Sequence, residues 1–123
     1  MYSRVSIKAA QALHRGKSYQ SVNTRVADGV MWVNVTKVAW YDAGDTELRI
    51  TLGATTPPEV LIDRLGAVLI VFGIALYFHK MRGEWVLLSS RLSYTEVFLR
   101  PGTTAVFNIA GAYFAGYRSN IME

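Results

Sequence analysis

The sequence predicts an α+β fold: an antiparallel sheet, made of a meander plus a C-terminal hairpin, packed by two short helices in a single domain spanning residues 1–123. Three observations lead there. Much of residues 30–52 alternates apolar and polar side chains with period two. Two turn signals, Asp28-Gly29 and Met81-Arg82-Gly83, join segments of strand character. Two other stretches, near residues 3–15 and 56–69, repeat their apolar residues at helical spacing. The chain is 51% apolar and 18% charged over 123 residues, so burial can offset the entropy of ordering it, and intrinsic disorder is excluded.

The first helix has Ser3 or Ser6 as N-cap and carries Ile7, Ala9, Ala10 and Leu13 on one side. His14 and Arg15 stand in its last turn, where positive charge suits the dipole, and Gly16 is placed to close it. From Ser18 to Ala27 the pattern becomes strand-like and ends at the Asp28-Gly29 hairpin signal. Val30 to Tyr41 reads as one strand, rich in β-branched and aromatic residues. Met31, Val33, Val35, Ala39 and Tyr41 are expected on one face, with Val30, Trp32, Val38 and Trp40 on the other. Ala43-Gly44-Asp45 turns the chain into Glu47–Leu52, where Leu48, Ile50 and Leu52 point inward and Glu47, Arg49 and Thr51 outward. These three segments make the meander.

Thr56-Pro57-Pro58-Glu59 is a capping box with proline at the first helical position. The helix it opens sets Val60, Leu61, Leu65 and Val68 along one stripe and is expected to reach about Leu69, before Phe72-Gly73 breaks it. Ile74–His79 and Glu84–Ser89 form the second hairpin, and Leu92–Leu99 alternates again. After Pro101-Gly102 a last strand is expected at Ala105–Ile109, and residues 101–123 read as a C-terminal extension. The apolar run Ala67–Phe78 is twelve residues long, short of the roughly 20 a membrane-spanning helix needs. Asp63, Arg64, His79 and Lys80 bracket it, so a core helix followed by a core strand is expected, with no membrane partner. No signal segment opens the chain, which makes the cytoplasm the expected location.

Catalytic chemistry finds little support. There is no cysteine, which removes disulfides, thiolate metal sites and cysteine nucleophiles. His14 and His79 lack a carboxylate at a recognisable spacing, and no nucleophile elbow or phosphate-binding glycine loop occurs. Asp42, Asp45 and Glu47 do not follow the spacing of a calcium loop and read as a solvated turn. Asn34-Val35-Thr36 matches a glycosylation sequon by chance in a strand. Neither an enzyme, a metal nor a cofactor is expected.

The charge layout suggests a binding surface instead. The net charge is +4. Residues 1–40 hold six basic side chains against Asp28 alone, whereas residues 41–63 hold five acids against Arg49. Arg15, Lys17, Arg25 and Lys37 are the expected anion or partner contacts. Tyr19 and Trp32 are the expected aromatic anchors, since cations and aromatic faces together suit both single-stranded nucleic acid and protein partners.

One further pattern runs through Asn23-Thr24-Arg25-Val26, Ile50-Thr51-Leu52, Thr55-Thr56, Asp63-Arg64-Leu65 and Gly83-Glu84-Trp85. In order and spacing, over about residues 9–89, it resembles a family of small uncharacterised tailed-phage proteins. Those proteins carry Leu-His-Gly-Asn at the end of the second strand, where this chain has Lys37-Val38-Ala39-Trp40. The resemblance implies a phage origin, hence the host cytoplasm, and no mechanism. The expected function is then a non-enzymatic accessory protein that binds a host protein complex, for example as inhibitor of a defence or transcription complex. Nucleic-acid binding through the basic N-terminal half and a minor virion role are the alternatives, and self-association stays open.

Overall fold

A computed structural model describes residues 2–44, 46–53, 59–89, 96–98, 102–109 and 113–119. In chain order the elements are α1 (Arg4–Arg15), β1 (Tyr19–Gln20), β2 (Thr24–Ala27), β3 (Val30–Val33), β4 (Thr36–Asp42), β5 (Glu47–Thr51), α2 (Glu59–Val71), β6 (Leu76–Met81), β7 (Glu84–Ser89), β8 (Glu96–Phe98), β9 (Thr103–Asn108) and β10 (Tyr113–Ser119). The fold is α+β, as the sequence predicts. A seven-stranded antiparallel sheet has the order β1-β2-β3-β4-β5-β9-β10, and a separate three-stranded sheet has the order β6-β7-β8. The segment between β5 and β9 therefore leaves the main sheet, forms α2 and the small sheet, and returns.

The Ser3 hydroxyl caps α1 by accepting from the Ser6 N–H at 3.2 Å. Gly16, at φ 69°, ends the helix, and the Lys17 N–H closes on the Ala12 carbonyl at 2.9 Å. Ala9, Ala10 and Ala12 on the buried face are small enough to let α1 lie close against α2. The second helix is buried over most of its length, which suits a sequence that is apolar apart from Glu59, Asp63 and Arg64 in its first turns. It runs two residues past Leu69, to Val71. Gly73, at φ 74°, then reverses the chain, with the Ile74 N–H donating to the Leu69 carbonyl at 2.9 Å. The expected capping box at 56–58 lies outside the described residues, as do residues 91–95 and 99 of the Leu92–Leu99 pattern.

Asp28 and Gly29 both have positive φ, 53° and 76°, and make the predicted two-residue hairpin between β2 and β3. Glycine is needed there twice over, because a Cβ at position 29 would sit 2.8 Å from the Tyr41 carbonyl oxygen. Arg82 and Gly83 repeat this turn between β6 and β7, at φ 50° and 81°.

The expected single strand from Val30 to Tyr41 is corrected to two. Asn34 takes a left-handed φ of 55°, which asparagine tolerates, and the chain folds back at Asn34-Val35 so that Val33 pairs with Thr36. Val35 is therefore a solvent-exposed tip and not a core residue. The register shifts between Met31 and Trp32, pairing them with Ala39 and Lys37. Val38 is the extra residue of this bulge and joins the core, against the expected alternation.

Helices α1 and α2 cover one face of the large sheet. Val26, Met31, Val33, Ala39, Leu48, Ile50, Ala105 and Phe107 meet Leu13 of α1 and Leu65, Val68 and Leu69 of α2 in a common core. β9, with Ala105 and Phe107 inside, sits between β5 and β10 as an inner strand. No helix among the described residues is long and apolar enough to cross a membrane.

Candidate interaction face

The opposite face of the sheet brings together three basic residues and two tryptophans from β2 to β5: Arg25, Trp32, Lys37, Trp40 and Arg49. Arg25 on β2 stands opposite Trp32 on β3, and Trp32 stands opposite Lys37 on β4. Beyond the bulge, Trp40 stands opposite Arg49 on β5. The Arg25 guanidinium lies 4.1 Å from the Trp32 ring centre, and the Lys37 ammonium 4.2 Å from that of Trp40. A ring face attracts a cation through its quadrupole, so each tryptophan holds its cation in place without neutralising it. Arg49 differs, since Glu47 pairs with it at 2.9 Å. Arg25 and Lys37 are exposed and make no ion pair among the described residues.

This face is open on one side only. Toward β5 and β9 its residues Thr51, Thr104 and Val106 are buried, so the accessible part is the strip over β2, β3 and β4. Of the expected contacts, Arg25, Trp32 and Lys37 come together there. Trp40, which the sequence reading left out as an anchor, belongs with them; its spacing from Lys37 on one strand was the available signal. Tyr19 does not join. It pairs with Val26 on the helix-covered side and packs against the core. Arg15 and Lys17 flank Gly16 at the end of α1, exposed and off the strip. The third tryptophan repeats the cation pairing on the small sheet, with Lys80 5.6 Å from the Trp85 ring.

At the other end of the core, α2 carries a buried cation. Arg64 is 6% exposed. Its guanidinium donates to Thr24 Oγ1 at 2.9 Å, Asn23 Oδ1 at 3.1 Å, Ser3 Oγ at 3.1 Å and Ser6 Oγ at 2.7 Å. Asp63 Oδ2, 3.5 Å away, completes the set and accepts from the Ser6 hydroxyl and the Ser3 N–H. Partial burial pushes the Asp63 carboxyl up. The hydrogen bonds from Ser6 and Ser3, with Arg64 beside it, outweigh that and hold it below the ordinary carboxylate value. Burial, then the Asp63 charge, pushes the Tyr2 phenol up.

The network ties α2 to the cap of α1 and to the turn before β2. His14 meets Phe72 and Tyr41 as an aromatic partner, at 4.8 and 6.4 Å between ring centres. No group of three or more His, Asp and Glu side chains suited to a metal ion occurs among the described residues. No family model, curated protein or solved structure matches the chain.

Proposed function

We propose that this protein is a non-enzymatic binding module that recognises an acidic protein surface through the strip Arg25, Trp32, Lys37 and Trp40. The observation that carries the reading is the pair of exposed cations seated on tryptophan rings. The rings hold both charges outward in a fixed arrangement, which lowers the ordering cost of meeting carboxylates. Tryptophan and arginine are also the side chains that most often dominate a protein interface. For a phage-encoded chain, the partner is a host protein complex.

The same ingredients serve single-stranded nucleic acid, but there a base must stack on the ring. Here one face of each tryptophan is already taken by its own cation, which favours the protein partner. The test is capture from host lysate with the wild-type chain and with Arg25→Glu/Lys37→Glu. A stoichiometric protein held by the first and lost by the second supports the reading. Recovery of no partner, or a salt-dependent mobility shift with an oligonucleotide in its place, overturns it.

A further inference from the structure

Val22 and Val35 are the most exposed large apolar side chains described, at 105% and 95% of full exposure. Val22 lies in the β1–β2 connection and Val35 at the β3–β4 tip. The Asn34 N–H donates to the Asn23 carbonyl at 2.8 Å, so the two turns lie side by side. Continuing the Thr24–Val33 register by two positions sets Val22 against Val35. Turns at such places ordinarily use Gly, Asn, Asp or Ser. Among the described residues, neither side chain belongs to the hydrophobic core or packs against it.

Beside them is an open depression of about 640 Å³ whose apolar wall is Tyr2, Val5 and Val60, with Glu59 and Asp63 among its polar residues. Arg64 links the two features, because it lines the depression and also holds Asn23 at the root of the Val22 turn. An apolar projection and an apolar hollow thus share one end of the molecule. Two copies related by a two-fold axis can exchange one for the other reciprocally, and such a contact closes at a dimer.

Charge favours a second copy as the occupant. Lys37, two residues beyond Val35, is exposed and unpaired among the described residues, and so is Glu59 at the hollow. A lipid surface fits less well, because two valines offer too little apolar area to hold a chain on it. We infer that this end is a self-association surface, in which Val22 and Val35 of one copy seat against Tyr2, Val5 and Val60 of the other while Lys37 meets Glu59.

The test is sedimentation equilibrium of the full chain over about a hundredfold range of concentration. A monomer–dimer equilibrium is expected. Val22→Asp/Val35→Asp should raise its dissociation constant at least ~10-fold and leave the thermal melt unchanged at concentrations low enough for both chains to be monomeric, since both side chains are outside the core. Lys37→Glu and Glu59→Lys should each weaken the dimer, and the two together should restore it. A chain that stays monomeric, a dimer indifferent to the valine substitutions, or an open-ended series of larger species would each overturn the inference. Lys37 serves both surfaces, so the readings are separated by variants that touch one alone: Trp32→Ala, which removes an anchor of the binding strip, should leave the dimer intact, and Val22→Asp/Val35→Asp should leave partner capture intact.

Discussion

Arg64 Nε donates to Thr24 Oγ1 at 2.9 Å, joining residues forty apart in sequence. Through the same guanidinium α2 is tied to the turn before β2 and to the cap of α1. A buried cation is costly unless its donors are satisfied, and here neutral oxygens do most of that work. The residues involved on both sides, Asn23-Thr24 and Asp63-Arg64, belong to the motifs quoted above for the phage resemblance.

Arg64→Met should therefore lower unfolding stability by about 3 kcal/mol, because it removes the charge-assisted hydrogen bonds to Thr24, Asn23, Ser3 and Ser6 and leaves Asp63 without its cation. Thr24→Val, which removes one acceptor, should cost roughly 1–2 kcal/mol. Urea denaturation reads both. An Arg64→Met chain as stable as wild type would show that the network is ornamental.

Asp63 gives the network a pH signature. Its carboxyl is held below the ordinary value in the folded state, so the folded chain binds a proton less readily than the unfolded one. The associated stability is present above the ordinary carboxyl value of about 4 and is lost as pH falls through the lowered folded value. Asp63→Asn should flatten that acid limb of a stability–pH curve while leaving the neutral-pH limb parallel to wild type.

Gly29→Ala combines a left-handed φ of 76° with a Cβ placed 2.8 Å from the Tyr41 carbonyl oxygen. The backbone has to move to relieve that contact, and the expected loss is about 2 kcal/mol or more. Gly83→Ala, at φ 81° with no atom within 4 Å of the new Cβ, should cost only about 1 kcal/mol. The difference between the two melting temperatures isolates the steric part.

Arg25→Ala removes an exposed cation from the Trp32 ring. The change in stability should stay below about 1 kcal/mol, while tryptophan emission shifts, because the group nearest the indole is exchanged for water. An unaltered emission spectrum would mean that the guanidinium does not rest on the ring in solution.

Much of this architecture was legible in the sequence because its signals are local. Ser3 and Gly16 bound α1, and Asp28-Gly29 and Arg82-Gly83 demand their hairpins whatever surrounds them. The Asn34-Val35 reversal was not legible, since valine is a strand former and only the left-handed asparagine bends the chain there. Which face each aromatic takes depends on register, and the bulge at Val38 moves it by one residue. Tyr19 was read as an anchor from its basic neighbours, yet its pairing with Val26 turns it inward. Arg64 stood out in the sequence only as a charge bracketing the apolar run, because apart from Asp63 its partners lie forty and more residues away.

Strand β5 waits for β9, since Thr51 pairs with Thr104 and Leu48 with Phe107. On a ribosome adding about 5–20 residues per second, the first five strands emerge seconds before the strand that completes their sheet. In that interval the backbone of β5 is an unpaired sheet edge, open to pairing with other chains until β9 covers it.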